Sequence, residues 1–190
     1  MRRMISLLVV LALAGICLPA IAQEKEQSIF QVRSRDVGDA PPELVALCEE
    51  KAAEVPIAGM VVQTIPLNAE FWALQTRAKD GLVMNEFVRK VGKADACAFI
   101  VVTKWASPGV PAELTMALYG DSEVSGLTFE GWGECYLPIQ GLPTALSQTG
   151  TCHMVLAPDP EQGIAGGIAT SNSVFGEATG SFWTIRIIWE

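Results

Sequence analysis

His153 and Glu134 are the residues whose chemistry is easiest to state. His153 is the only histidine in the chain, and an imidazole poised by a carboxylate is the simplest way to move a proton near neutral pH. A second motif, Gly120-Asp121-Ser122, invites comparison with a serine nucleophile. It is weak, because Glu123 follows where a hydrolase would be apolar and only His153 could act as base; a Gly-Asp-Ser turn is the plainer reading. Cys48, Cys97, Cys135 and Cys152 form an even set with no C-x-x-C pair, the pattern of two disulfides in an oxidising compartment. Four cysteines allow three connectivities. No cofactor motif is present, and a metal site would have to rely on carboxylates, so none is expected.

The chain that must position these groups begins with an export signal. Arg2 and Arg3 precede an apolar run, and Ala20-Ile21-Ala22 marks a cleavage point before Gln23, so residues 1–22 read as a signal peptide. No later run is long enough for a transmembrane helix, and the protein is expected in the periplasm or outside the cell. The whole chain has 13 basic and 21 acidic residues, a net charge of −8. Removing the leader takes two of the basic residues, leaving 11 against 21, or −10, and nucleic acid is not expected as a partner. The 168 remaining residues suit one domain that buries roughly 70% of the surface its unfolded chain exposes.

Residues 23–40 are polar and are expected to be flexible, with at most a short strand at Ile29 to Val32. A single domain follows over 41–190. Pro41-Pro42 opens a helix whose stripe is Leu44, Leu47, Cys48, Lys51 and Val55, with Cys48 on the inner face. Pro56 ends it. From Glu70 to Val91 the pattern fits either helices or a hairpin. Asp80-Gly81 favours the hairpin and sets Ala78 opposite Val83 and Leu74 opposite Phe87. Ala96 to Trp105 reads as a central strand covered on both faces, and Glu113 to Tyr119 as an alternating strand ending at Gly120-Asp121-Ser122.

Leu127 to Leu137 alternates most clearly, with Phe129, Gly131, Gly133 and Cys135 on one side. Thr151 to Ala157 is complementary, with Cys152, Met154 and Leu156 inward. If Cys135 pairs with Cys152 across these strands, Gly133 faces Met154, Gly131 faces Leu156, and Glu134 lies opposite His153. Cys48 is then left to tie the helix to the strand at Cys97. Trp132 and Tyr136 share the Glu134 face, and with His153 they form an amphipathic patch suited to a ring-bearing or lipid-like ligand. Phe182 to Trp189 closes the chain with Trp183, Ile185, Ile187 and Trp189 on one face. The fold class is therefore mainly β, an antiparallel barrel or flattened barrel with one N-terminal helix and two disulfides.

The segments VGKADAC (Val91 to Cys97), GWGEC (Gly131 to Cys135), GTC (Gly150 to Cys152) and GGIATSNSVFGEATGSFW (Gly166 to Trp183) resemble the punctuation of small exported β-barrels of the calycin and allene oxide cyclase/dirigent-like groups. That resemblance implies a barrel with an apolar cavity and carries over no catalytic residue. The function expected is non-catalytic: binding a small apolar or amphipathic ligand, or an envelope protein. The alternatives are an isomerase or cyclase using Glu134 and His153, and a purely structural protein with a filled core.

Overall fold

The computed structural model describes residues 26–79, 82–136, 148–175 and 180–190. The expected signal peptide and the Asp80-Gly81 turn lie outside these residues. Among the described residues there are nine antiparallel strands and one helix: β1 (Gln27–Asp36), α1 (Pro42–Lys51) with a 3-10 turn at Ala52–Glu54, β2 (Met60–Leu67), β3 (Ala69–Lys79), β4 (Leu82–Lys104), β5 (Glu113–Val124), β6 (Leu127–Tyr136), β7 (Gln148–Leu156), β8 (Ile164–Phe175) and β9 (Ser181–Trp189). The sheet runs β2-β4-β3-β1-β9-β8-β7-β6-β5, and β5 returns to β4. Eight strands thus close a ring, and β2 lies beside the second half of β4.

Following partners from Val32 one way reaches Ala73 and then Arg89. The other way runs through Trp183, Ser171, Cys152, Cys135 and Met116 to Ile100. The two routes meet β4 at different heights, which is the stagger of strands tilted steeply against a ring axis.

β1 corrects the expectation of a flexible N-terminal segment. It is a full strand, paired to β3 on one edge and β9 on the other, and the ring closes through it. Its alternation is disguised because two of its inward positions are serines. Ser28 Oγ accepts a hydrogen bond from Trp189 Nε1 at 3.0 Å and Ser34 Oγ one from Trp183 Nε1 at 3.2 Å. Indole N–H groups turned into a core need acceptors, and small hydroxyls supply them where an aliphatic side chain could not.

The hairpin reading of Glu70 to Val91 holds: β3 and β4 pair antiparallel, with Leu74 opposite Phe87 and Ala78 opposite Val83. Gly120-Asp121-Ser122, expected as a turn, lies instead within β5, which continues to Val124. A Cβ at Gly120 would meet the flexible end of Met154, with Cε at 2.7 Å. The chain reverses at Ser125 and Gly126, both at positive φ (51° and 84°), the mirror-image turn that matches strand twist.

Both disulfides are present as expected, Cys48–Cys97 and Cys135–Cys152. The β6–β7 register puts Gly131, Gly133 and Cys135 against Leu156, Met154 and Cys152. The apolar run on β4 is explained by two cores. Ala94 and Ala98 face the ring interior with Leu118, Phe129, Met154, Ile185 and Ile187. Cys97, Phe99 and Val101 face outward beneath α1, against Leu44, Cys48, Ala117 and Tyr119. A strand buried on both sides has no polar face to alternate with.

Candidate functional site

Cross-strand register brings Glu134 and His153 together as expected, directly opposite each other on β6 and β7. Both are exposed on the outer face of the ring, because the disulfide turns the alternate positions inward. Among the described residues no hydrogen bond or ion pair joins the two. With Tyr136, 72% exposed, they edge a groove of about 300 Å³ that also touches Ile100, Leu114, Thr115 and Met116. Trp132 leaves this patch. It is half-buried, with ring centroids 5.1 Å from Tyr119 and 5.8 Å from Phe99, and packs with the core beneath α1. A serine triad is ruled out by placement: Ser122 is buried and lines the interior, whereas His153 stands on the outside of the wall.

The enclosed space is inside the ring. A cavity of about 110 Å³ has an almost wholly apolar lining, including Phe71, Leu118, Phe129, Met154, Trp183 and Ile185. It is open because Ala94, Ala96, Gly120 and Ala169 stand at inward positions where longer side chains would meet. The Cys135–Cys152 bridge forms part of its wall. Two of its three serines, Ser34 and Ser122, turn their hydroxyls to the protein. Ser34 Oγ donates to Ser181 O at 3.4 Å and accepts from Ser181 N at 3.3 Å, and Ser122 Oγ donates to Asp95 O at 3.3 Å. With both hydroxyl protons committed to backbone, neither offers a donor to an occupant. The sequence alone points to Trp132 and Tyr136 for a ligand and gives Ala94, Ala96, Gly120 and Ala169 no part in a cavity. Their signal was the run of Ala and Gly at inward positions, legible only once the inner face was known.

A row of carboxylates crosses the outer face beside α1. Asp95 is opposite Asp121, which is opposite Glu130. Tyr119 Oη donates to Glu130 Oε2 at 2.5 Å, and Lys51 Nζ stands 5.0 Å from the Tyr119 ring centre. Burial, reinforced by the Glu130 hydrogen bond, holds the Tyr119 phenol above its ordinary pKa, so it stays a proton donor. Among the described residues no cluster of three or more His, Cys, Asp or Glu side chains is arranged to hold a metal ion.

Burial pushes the Asp95 carboxyl above its ordinary value; Lys93 and a backbone hydrogen bond from Ala69 oppose this, while Asp121 and Glu43 add to it. A carboxyl raised in the folded state stabilises the fold below its unfolded pKa, and that contribution is lost as pH rises through the folded value. Asp121, directly opposite Asp95 on the neighbouring strand, is a lesser contributor than burial to the raised Asp95 value. Asp121→Asn is expected to raise stability at pH 7 by up to about 1 kcal/mol. The gain should vanish below the ordinary carboxylate range, and urea melts at the two pH values would show it. An equal gain at low pH would mean that repulsion is not its source.

No protein-family model matches this chain, and neither the curated proteins nor the solved structures include a significant match to it. The class is defined by structure alone: a disulfide-bonded antiparallel β ring with an apolar interior cavity and one helix fastened to its outer wall. Among the described residues no helix is long and apolar enough to cross a membrane.

Proposed function

We propose that this is an exported binding protein whose ring takes up a small apolar molecule, or the apolar end of an amphipathic one. The observation that carries the reading is the cavity. An empty void of about 110 Å³ costs about 2–3 kcal/mol at the rate measured for core truncations, and lengthening one alanine could fill much of it. An apolar cavity of comparable size, about 150 Å³, is dry and accepts benzene. The occupant is accordingly an uncharged ring of that size or the last few carbons of a chain. Export rests on the signal-like N-terminus and the two disulfides. The use of a ring interior for ligand is also what the likeness to calycin-type barrels implies. Proton-transfer chemistry by Glu134 and His153 is not part of this reading, since that pair stands on the outer wall.

The test pairs ligand detection with a filled cavity. Native mass spectrometry of protein from its own host should show a retained small molecule, and benzene or hexanol should bind the stripped protein by calorimetry. Ala169→Leu projects into the void opposite Met154. It should abolish binding and raise stability by up to about 2 kcal/mol. Absence of any retained mass together with no binding of either probe would overturn the proposal, as would undiminished binding by the filled variant.

A further inference from the structure

The chain is acidic overall, yet its charges are not evenly spread. On the outer face of β1, β3 and β4, register aligns two rows: Arg33, Trp72 and Lys90 in one, and Arg35, Glu70 and Lys93 in the next. Lys90 Nζ is 2.5 Å from Glu70 Oε1, and Trp72 Nε1 donates to Glu70 Oε2 at 3.2 Å. Beyond Arg33 the first row continues to Phe182 on β9, 42% exposed, with the guanidinium 4.9 Å from the ring centre, a cation–π distance. Lys93 also faces Glu123 on β5 at the edge of the strip. Four cations thus stand as two pairs on either side of β3, which presents a carboxylate and an indole.

We infer that this strip binds an acidic polysaccharide carrying its charges on alternate sugars. The two cation pairs are two strand spacings apart, about 10 Å, and so address anionic groups separated by a neutral unit. Glu70, between them, suits hydroxyl donors and would repel an anion. A uniformly charged strand would bring an anion against Glu70. A flat anionic bilayer would meet the acidic remainder of the molecule as well as the strip, since exposed charges act over about 8–10 Å at physiological salt. A single thin chain with a neutral unit over Glu70 meets only the carboxylates that border the strip, Glu123 and Asp95 among them. The net charge that counts against polyanions describes the whole molecule and says nothing of a face this small. The site is separate from the interior cavity and stands or falls independently of it.

The experiment uses the full exported chain and a hyaluronan octasaccharide, with neutral dextran, oligo-dT and phosphatidylglycerol vesicles as comparators. Binding of the octasaccharide is expected at about 50 mM salt, weakening steeply toward about 200 mM, as contacts to a charged chain do. Arg35→Glu with Lys93→Glu, both exposed in the native protein, should weaken it by ~tenfold or more while the native fold is retained by circular dichroism. Arg35→Gln with Lys93→Gln should give a smaller loss and serves if the reversal disturbs folding. The inference is overturned by no octasaccharide binding at low salt, by equal binding of dextran, by binding indifferent to both double variants, or by tighter binding of oligo-dT or vesicles.

Discussion

Replacing Cys48 and Cys97 together with serine is expected to lower the unfolding free energy by about 4 kcal/mol. The bridge closes a segment with a sequence separation of 49, and loop-closure entropy for that length gives this figure. The Cys135–Cys152 bridge, with a separation of 17, should contribute about 3 kcal/mol on the same basis. For a domain of this size the first loss corresponds to a fall in melting temperature of roughly 8–16 °C. Its structural consequence is local. α1 is ten residues long and has no side-chain hydrogen bond at its N-cap; a helix so short is marginal without tertiary contacts. Leu44 would be left as its main buried anchor beside partly buried Leu47. Trp132 lies in the same cluster, so its fluorescence should shift to the red before the ring itself unfolds. A loss below about 1 kcal/mol with unchanged tryptophan emission would show that the helix stays docked through packing alone.

Gly133→Ala is the second large effect, and here the cause is contact and not backbone conformation. A Cβ at this position would lie 1.9 Å from the carbonyl oxygen of His153, 2.6 Å from Met154 Cγ and 2.7 Å from Met154 Cα. Two of these neighbours are backbone, so relief requires β7 to move away from β6 beside the Cys135–Cys152 bridge. Destabilisation of about 3 kcal/mol or more is expected, at the upper end for overpacking. Gly126→Ala is the control. It has φ +84° but nothing within 4 Å of its Cβ position, so it should cost only about 1–2 kcal/mol for a side chain held in the left-handed region. Denaturant melts of the two variants would separate clash from strain. Similar losses for both would mean that the β6–β7 ladder yields easily, and the small-against-large packing of Gly133 on Met154 would then matter little.

Pairings between neighbouring strands were legible in the sequence because they are set by period-two alternation and pinned at one point by a covalent link. Accepting Cys135 with Cys152 placed Glu134 opposite His153 and Gly133 opposite Met154, and the structure has both. The β3–β4 hairpin and the helix carrying Cys48 followed from turn chemistry and a 3.6-residue stripe in the same local way. Only Ile29 to Val32 of β1 reads as strand in the sequence, because its inward serines answer to Trp183 and Trp189, which are more than 140 residues away in the chain. No local pattern records such a partner. Gly120 misled for a related reason: it reads as a turn in isolation, and only the pairing of β5 with β4 and β6 shows that it lies inside a strand.

Local pattern in the chain carries most of the strands, the helix and the β3–β4 and β6–β7 pairings, and makes two disulfides the expected use of four cysteines, since each depends on residues close together or on sulfurs that must pair. The tertiary structure alone decided which side of the sheet is inside. Alternation says that Glu134 and Cys135 face opposite ways, but ring closure through β1 is what encloses the disulfide and leaves the acid–histidine pair in water. That closure also turned Ala94, Ala96 and Ala169 into the walls of a cavity and gathered Arg35 and Lys93 onto one outer strip. A pocket and a charged face are properties of strands distant in the chain, and neither exists until the ring is shut.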